Sequence, residues 1–356
     1  MVTGHLLKII RERMPRTQRQ LAELLRVDPT TVQGWESGRR PLTAVPASQL
    51  LTLRRRLLGH GADPELLVQL DAAMDADSVI AHVLHDAPAD GDIDRHPLSG
   101  WVFTRAATHM IAWALTGVRP TAVPGVQPAR RRGPVPDSPM MAAAERRLFF
   151  ARIRRSAEIA DLAGEKGALL RRQALYLCSY DTAGDTHAWL AHMQNRRPHR
   201  LTHEVWTPAW ADARSMATSL TRYGDLDSLH IFIQRGISSD SGEMANLNYW
   251  AHWLGLDKLP RSDDSFMAER SQGLWDASSL LRRLVDRLDP SLACVDLNVH
   301  SVWSLLALRP SALAVDTDLA RNLQQRVARL LDSRSVSQQA RRELDAVHYG
   351  LRLSRP

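Results

Sequence analysis

The sequence predicts an all-α protein in which a short N-terminal helical domain is joined to a larger helical body, and three observations lead to that reading. Apolar residues recur at intervals of three and four along most of the 356-residue chain, whereas two-residue alternation is confined to LHIFIQ at 229–234, the only strand candidate. Pro and Gly interrupt the helical pattern after position 140 at intervals of roughly 20 to 45 residues, without a repeating residue signature. The charge is uneven: residues 1–60 hold eleven Lys and Arg against four acids, and in the remainder bases and acids cancel, so the net charge of +7 belongs to the N-terminal segment.

The N-terminal elements follow in order. Leu6, Ile9, Ile10 and Met14 share one helical face that ends at Pro15, which cannot continue a helix interior. Thr17 is a good N-cap for a second helix, QRQLAELLRV, with Leu21, Leu24 and Leu25 on one stripe and Ala22 where another helix can cross closely. Asp28 caps a third helix that begins at Pro29 and stops at Gly38. The connection at Arg26–Asp28 has the length that characterises a helix-turn-helix. ASQLLTLRRRLL reads as a fourth helix with Leu50, Leu53 and Leu57 inward, and Pro64–Leu84 as one or two more.

These elements define a domain at 1–84. The acidic, Pro- and Gly-containing run at 85–100 reads as a linker, 101–117 as an apolar helix, 118–139 as a second linker rich in Pro and Arg, and 140–356 as a helical dimerisation or regulatory domain. That body is expected to be a bundle or an array of helical hairpins similar to tetratricopeptide repeats.

A compact basic segment on a neutral body is the footprint of a phosphate-binding module. The third helix adds specificity. Val32 and Trp35 lie three apart and face the second helix, which turns Thr30, Gln33, Gly34 and Ser37 outward. Gln33 can bond an adenine edge in two places and Thr30 can meet a thymine methyl, each contact discriminating by about 1 to 3 kcal/mol. Gly34 would permit close approach and read nothing.

Residues 17–41, TQRQLAELLRVDPTTVQGWESGRRP, resemble the Cro and lambda-repressor-like (XRE-type) family of helix-turn-helix regulators. The resemblance is carried in register by Thr17 and Gln18, Leu21 and Ala22, Val27, Thr30 and Thr31, then Trp35, Glu36, Gly38 and Arg40. It implies a lambda-repressor-like fold, a double-stranded DNA operator as partner, and a homodimer reading a two-fold site. It also implies that Gln18 bonds a DNA phosphate, with Thr17, Arg19 and the free N–H groups of that helix start beside it. Arg39 and Arg40 are the expected phosphate clamps, and one or two of Arg54, Arg55 and Arg56 are expected at the DNA backbone. One position departs from the pattern: the tight turn usually carries Gly where this chain has Arg26, and a left-handed backbone there costs about 1 to 2 kcal/mol. Segments 172–185 and 244–255 are similar to those of large helix-turn-helix regulators from GC-rich, actinobacterial-type genomes, which implies regulation and names no ligand.

Other candidates read as structure. Asn248, Tyr249, Trp250 and Trp253 are expected to fill the helical core, the alternative being an effector pocket. His187 with His192 and His199 with His203 read as solvated surface, so no metal site and no cofactor are expected. The Arg-rich run at 129–134 reads as a solvated linker, although it could enter a minor groove. The chain lacks a nucleophile elbow, phosphate loop, dinucleotide fingerprint or HExxH, so no enzyme is expected. Cys178 and Cys294 suit a reducing compartment, and the N-terminus has no secretory signal, so a cytoplasmic protein without a membrane span is expected. Two alternatives stand beside direct regulation. The body could sense a small-molecule or peptide effector that gates DNA binding, or the N-terminal fold could serve protein contact in an antitoxin or phage-type module.

Overall fold

The computed structural model describes residues 1–86, 93–125, 138–196, 206–257, 259–270, 275–313, 316–333 and 335–353. The Arg-rich run at 129–134 and the His199–His203 pair lie outside them. Among the described residues there are helices and no strands. The chain divides into two compact units, Met1–Leu162 and Ala163–Pro356.

The first unit contains α1 (Val2–Arg13), α2 (Gln18–Leu25), α3 (Pro29–Ser37), α4 (Ala47–Gly59), α5 (Pro64–His85), α6 (Pro97–Gly100), α7 (Arg105–Thr116) and α8 (Ala143–Leu162). Pro64–Leu84 is thus a single helix. α5 is the centre of this unit, because α1, α7 and α8 all pack against it. Its Leu66, Leu70, Ala73, Ala76, Ile80 and Val83 are buried, as are Met110, Ile111, Trp113 and Leu115 of α7 and Phe149, Phe150 and Ile153 of α8. Each large side chain so buried contributes about 1.5 to 3 kcal/mol of apolar transfer.

That packing moves the boundaries expected from sequence. The helix at 101–117 begins only at Arg105, because Val102 and Phe103 are buried in an extended lead-in. It belongs with α8 to the N-terminal unit, so the compact units divide at 162 and not at 139. Within the stretch 85–100, Leu98 is buried and α6 packs on α5, so its described part is docked.

α1 approaches α3 closely at Gly4, where a Cβ would lie 2.2 Å from the Trp35 carbonyl oxygen. Only glycine permits that crossing, and it seats Leu6, Leu7 and Ile10 on the core side.

The second unit contains α9 (Ala168–Cys178), α10 (Thr186–Asn195), α11 (Pro208–Leu220), α12 (Asp227–Gly236), α13 (Asp240–Trp253), α14 (Ala277–Val285), α15 (Val295–Leu308), α16 (Thr317–Asp332) and α17 (Gln338–Leu353). Neighbours in sequence pair as hairpins, α11 with α12, α14 with α15, and α16 with α17. Alternate helices also stack, α9 on α11, α13 on α15, and α15 on α17. The strand candidate at 229–234 lies within α12. Its buried residues are Leu229, Phe232 and Ile233, an i, i+3, i+4 pattern that a helix satisfies and a strand does not. Asn248, Tyr249, Trp250 and Trp253 are buried in this unit, as expected of core residues.

Candidate nucleic-acid interface

α2 begins with a complete capping box. Thr17 Oγ1 accepts from the Gln20 backbone N–H at 3.2 Å, and the Thr17 N–H donates to Gln20 Oε1 at 2.9 Å. The helix ends in a Schellman turn, with the Val27 N–H on the Ala22 carbonyl and the Arg26 N–H on the Glu23 carbonyl. Arg26 takes the left-handed conformation at φ 55° and ψ 49°, so the turn has its usual form although the residue is not glycine. Arg56, from α4, donates to the Leu25 carbonyl at the same helix end.

α3 starts at Asp28, whose carboxylate accepts from the Thr30 N–H at 2.8 Å and from the Thr30 hydroxyl. Those two donors hold the Asp28 carboxyl below its ordinary pKa. Pro29 occupies the first helical position, and Gly38 closes the helix at φ 76°. Val32 and Trp35 are buried beside Leu21, Ala22 and Leu25, which fixes the orientation of the opposite face. Thr30, Gln33 and Ser37 are exposed on it, and Thr31 is half-exposed.

Gly34 is the exception among the residues expected to face outward. It is buried, and a Cβ there would lie 3.1 Å from Arg40 Cδ. After Gly38 turns the chain back, the Arg40 N–H bonds the Gly34 carbonyl at 3.0 Å, and the Arg40 stem lies across the glycine. Gly34 therefore presents no surface for close approach, and the absence of a side chain serves Arg40. The Arg40 guanidinium reaches Thr31 Oγ1 at 3.4 Å, and Arg39 Nε reaches Ser37 Oγ at 3.2 Å. Arg39 and Arg40 are exposed, and among the described residues neither is paired with a carboxylate.

Gln18 is oriented from below by Glu36, which the sequence marks only as part of the family pattern. Its Nε2 donates to Glu36 Oε2 at 2.7 Å, and Arg11 grips the same carboxylate through Nε at 2.6 Å and Nη2 at 3.0 Å. The Glu36 side chain is 4% exposed. The bidentate pair ties α1 to α3 and holds the Gln18 amide at the start of α2, where the first N–H groups have no intrahelical partner. A glutamate next to a core tryptophan was the available signal. Thr17 and Arg19 are exposed beside Gln18, with Arg19 in a solvent-facing pair with Glu23.

Gln18, Gln33, Ser37 and Arg39 border one open cleft of about 720 Å³, together with Lys8, Arg11 and the chain at Ser138–Met140. The arginines of α4 are not part of it. Arg54 pairs with Asp71 at 2.7 Å and Arg56 is committed to Leu25, leaving Arg55 as the exposed one. Among the described residues no group of three or more His, Cys, Asp or Glu side chains is placed to hold a metal.

Residues 7–51 match the family model for helix-turn-helix. This segment is a helix-turn-helix domain. The match spans α1 from Leu7 onward, α2, α3 and the first part of α4, and so contains Lys8, Arg11, Gln18, Gln33, Ser37 and Arg39 of the cleft. No curated protein and no solved structure gives a significant match to the chain. In the helix-turn-helix domain the buried side of α3 and the pairing of Glu36 define a rigid platform, and the exposed side presents Thr30, Gln33 and Ser37 with two arginines at its end.

Proposed function

We propose that the chain is a sequence-specific, DNA-binding transcription regulator that docks α3 in the major groove. One observation carries the reading: a polar, exposed α3 face is backed by a fixed core and flanked by two exposed arginines that, among the described residues, form no ion pair with a carboxylate. In this proposal Thr30, Gln33 and Ser37 meet base edges, with Thr31 at the margin. Thr17, Gln18 and Arg19 meet one phosphate run at the start of α2, and Arg39 and Arg40 meet another.

A single such helix reads too few base pairs to select one genomic site, so the working form is a homodimer on a two-fold operator with half-sites about one helical turn apart. The protein acts in the cytoplasm and carries no catalytic activity of its own. Among the described residues no helix is long and apolar enough to cross a membrane, which fits that setting.

The test is selection of bound duplexes from random DNA by the full chain at moderate salt. The expected product is an inverted repeat bound in preference to competitor, and a pool that stays random would overturn the proposal.

A further inference from the structure

The helical body contains two kinds of arginine. Arg171 is 1% exposed, bonds the Asp212 carboxylate and donates to the Met193 carbonyl at 2.7 Å. Arg172 is gripped by Asp264 in bidentate fashion at 2.8 and 2.6 Å. Both charges are neutralised within the fold.

Arg214 is as deeply buried, at 2% exposure, and among the described residues no carboxylate pairs with it. Its Nε donates to Asn246 Oδ1 at 3.1 Å, and its guanidinium lies 3.8 Å from the Tyr249 ring centre and 4.9 Å from that of Trp250. Among the described residues its Nη2 has no hydrogen-bond partner. Burial lowers the Arg214 pKa to about 10, so the group remains a cation at neutral pH.

Arg287 lies 4.9 Å from the same Trp250 ring, with its Nε unpartnered and again no carboxylate among the described residues. Arg222 is exposed. It rests 3.9 Å from the Tyr180 ring and 4.6 Å from the Tyr176 ring, donates to the Tyr176 hydroxyl at 3.0 Å and bonds Ser179. The Tyr176 and Tyr249 rings both pack on Trp253, at 5.6 and 5.9 Å between ring centres, so Arg222 and Arg214 rest on one aromatic cluster. Tyr176 and Tyr180 are half-exposed and open that region to solvent.

A buried charge without a counter-charge is costly, and aromatic faces offset only part of the cost. We propose that Arg214, Arg222 and Arg287 form a binding site for an oxyanion, a carboxylate or phosphate group, on a ligand that packs against Tyr176 and Tyr180. The planar fork of arginine matches both groups with paired hydrogen bonds, and the orphaned Nη2 is a donor awaiting such an acceptor. This site is independent of the DNA proposal and stands or falls separately.

Thermal unfolding of the full chain at constant ionic strength tests it, with sodium benzoate as the carboxylate probe and inorganic phosphate as the other. The expected result is a saturable rise in Tm of about 3 °C with one probe at roughly ten times its Kd. The rise should be lost in Arg214→Met, reduced in Arg222→Gln and kept in Arg39→Ala, which separates it from phosphate binding at the helix-turn-helix domain. Arg222 is exposed, so Arg222→Gln folds whatever Arg214 contributes to the core. No response to either probe, or an undiminished response in Arg222→Gln, would overturn the site.

Discussion

Asp77, midway along α5, caps α1: its carboxylate accepts from the backbone N–H groups of Val2 at 2.7 Å and Thr3 at 3.0 Å, and from the Thr3 hydroxyl. The group is 1% exposed, and burial pushes its pKa up while the Thr3 and Val2 donors pull it down. One helix thus satisfies the first turn of another, which anchors the helix-turn-helix domain to α5. Asp77→Ala would leave two buried N–H groups unpaired at a cost of about 2 to 4 kcal/mol, and Asp77→Asn would keep an acceptor and lose about half of that. Urea unfolding measures both, and equal stability of wild type and Asp77→Ala would refute the capping role.

Gln33 and Arg39 lie on the same cleft but should fail differently. Gln33→Ala is expected to relax base preference at one position by about 1 to 3 kcal/mol with little change in salt dependence. Arg39→Ala should weaken binding to all duplexes and reduce the salt slope by about 1. Titrations of matched and mismatched duplexes across several salt concentrations distinguish these outcomes.

Arg26 occupies a left-handed turn without the freedom of glycine. Arg26→Gly should raise the stability of the first unit by about 0.5 to 1 kcal/mol, the relief of strain less the added freedom of the unfolded chain. A lower denaturation midpoint in the variant would show that the Arg26 side chain contributes more than its backbone costs.

His96 gives the first unit a dependence on acid. Burial, then the neighbouring His82, lowers its pKa from 6.5 to about 3, and its Nδ1 accepts from the Leu98 N–H at 3.1 Å. The ring stays neutral in the fold while it protonates in the unfolded chain, so its contribution is complete above pH 6.5 and is lost as pH falls toward 3. The loss is about 1.4 kcal/mol per pH unit in that window. His96→Asn retains an acceptor at the start of α6 and should flatten the stability profile between pH 6 and about 4, as equilibrium unfolding would record.

The starts of α2 and α3 and the stop of α3 were legible because Thr17, Asp28, Pro29 and Gly38 act on their own neighbours, whereas α2 stops at Leu25, two residues before the end of the QRQLAELLRV pattern. The outward direction of Gln33 followed from Val32 and Trp35 by helical geometry alone. What sequence reading missed depends on partners far along the chain. Glu36 is fixed by Arg11, Arg171 by Asp212 and Arg172 by Asp264, and hydropathy treats each of these charges as a solvated one. Gly34 was misread for a related reason, since its cover is the stem of Arg40, a residue counted only for its charge. The pattern at 229–234 fits two periods over so short a window, and only the packing of α12 on α11 and α15 decides between them.

Because α3 divides cleanly into a buried side and an exposed side, the positions that would choose a target lie outside the core. The Gln33 side chain can be exchanged at little cost in folding, whereas a change at Thr30 or Ser37 also gives up a bond to Asp28 or Arg39. Paralogues with an unchanged interior and a divergent residue at position 33 would be the natural outcome.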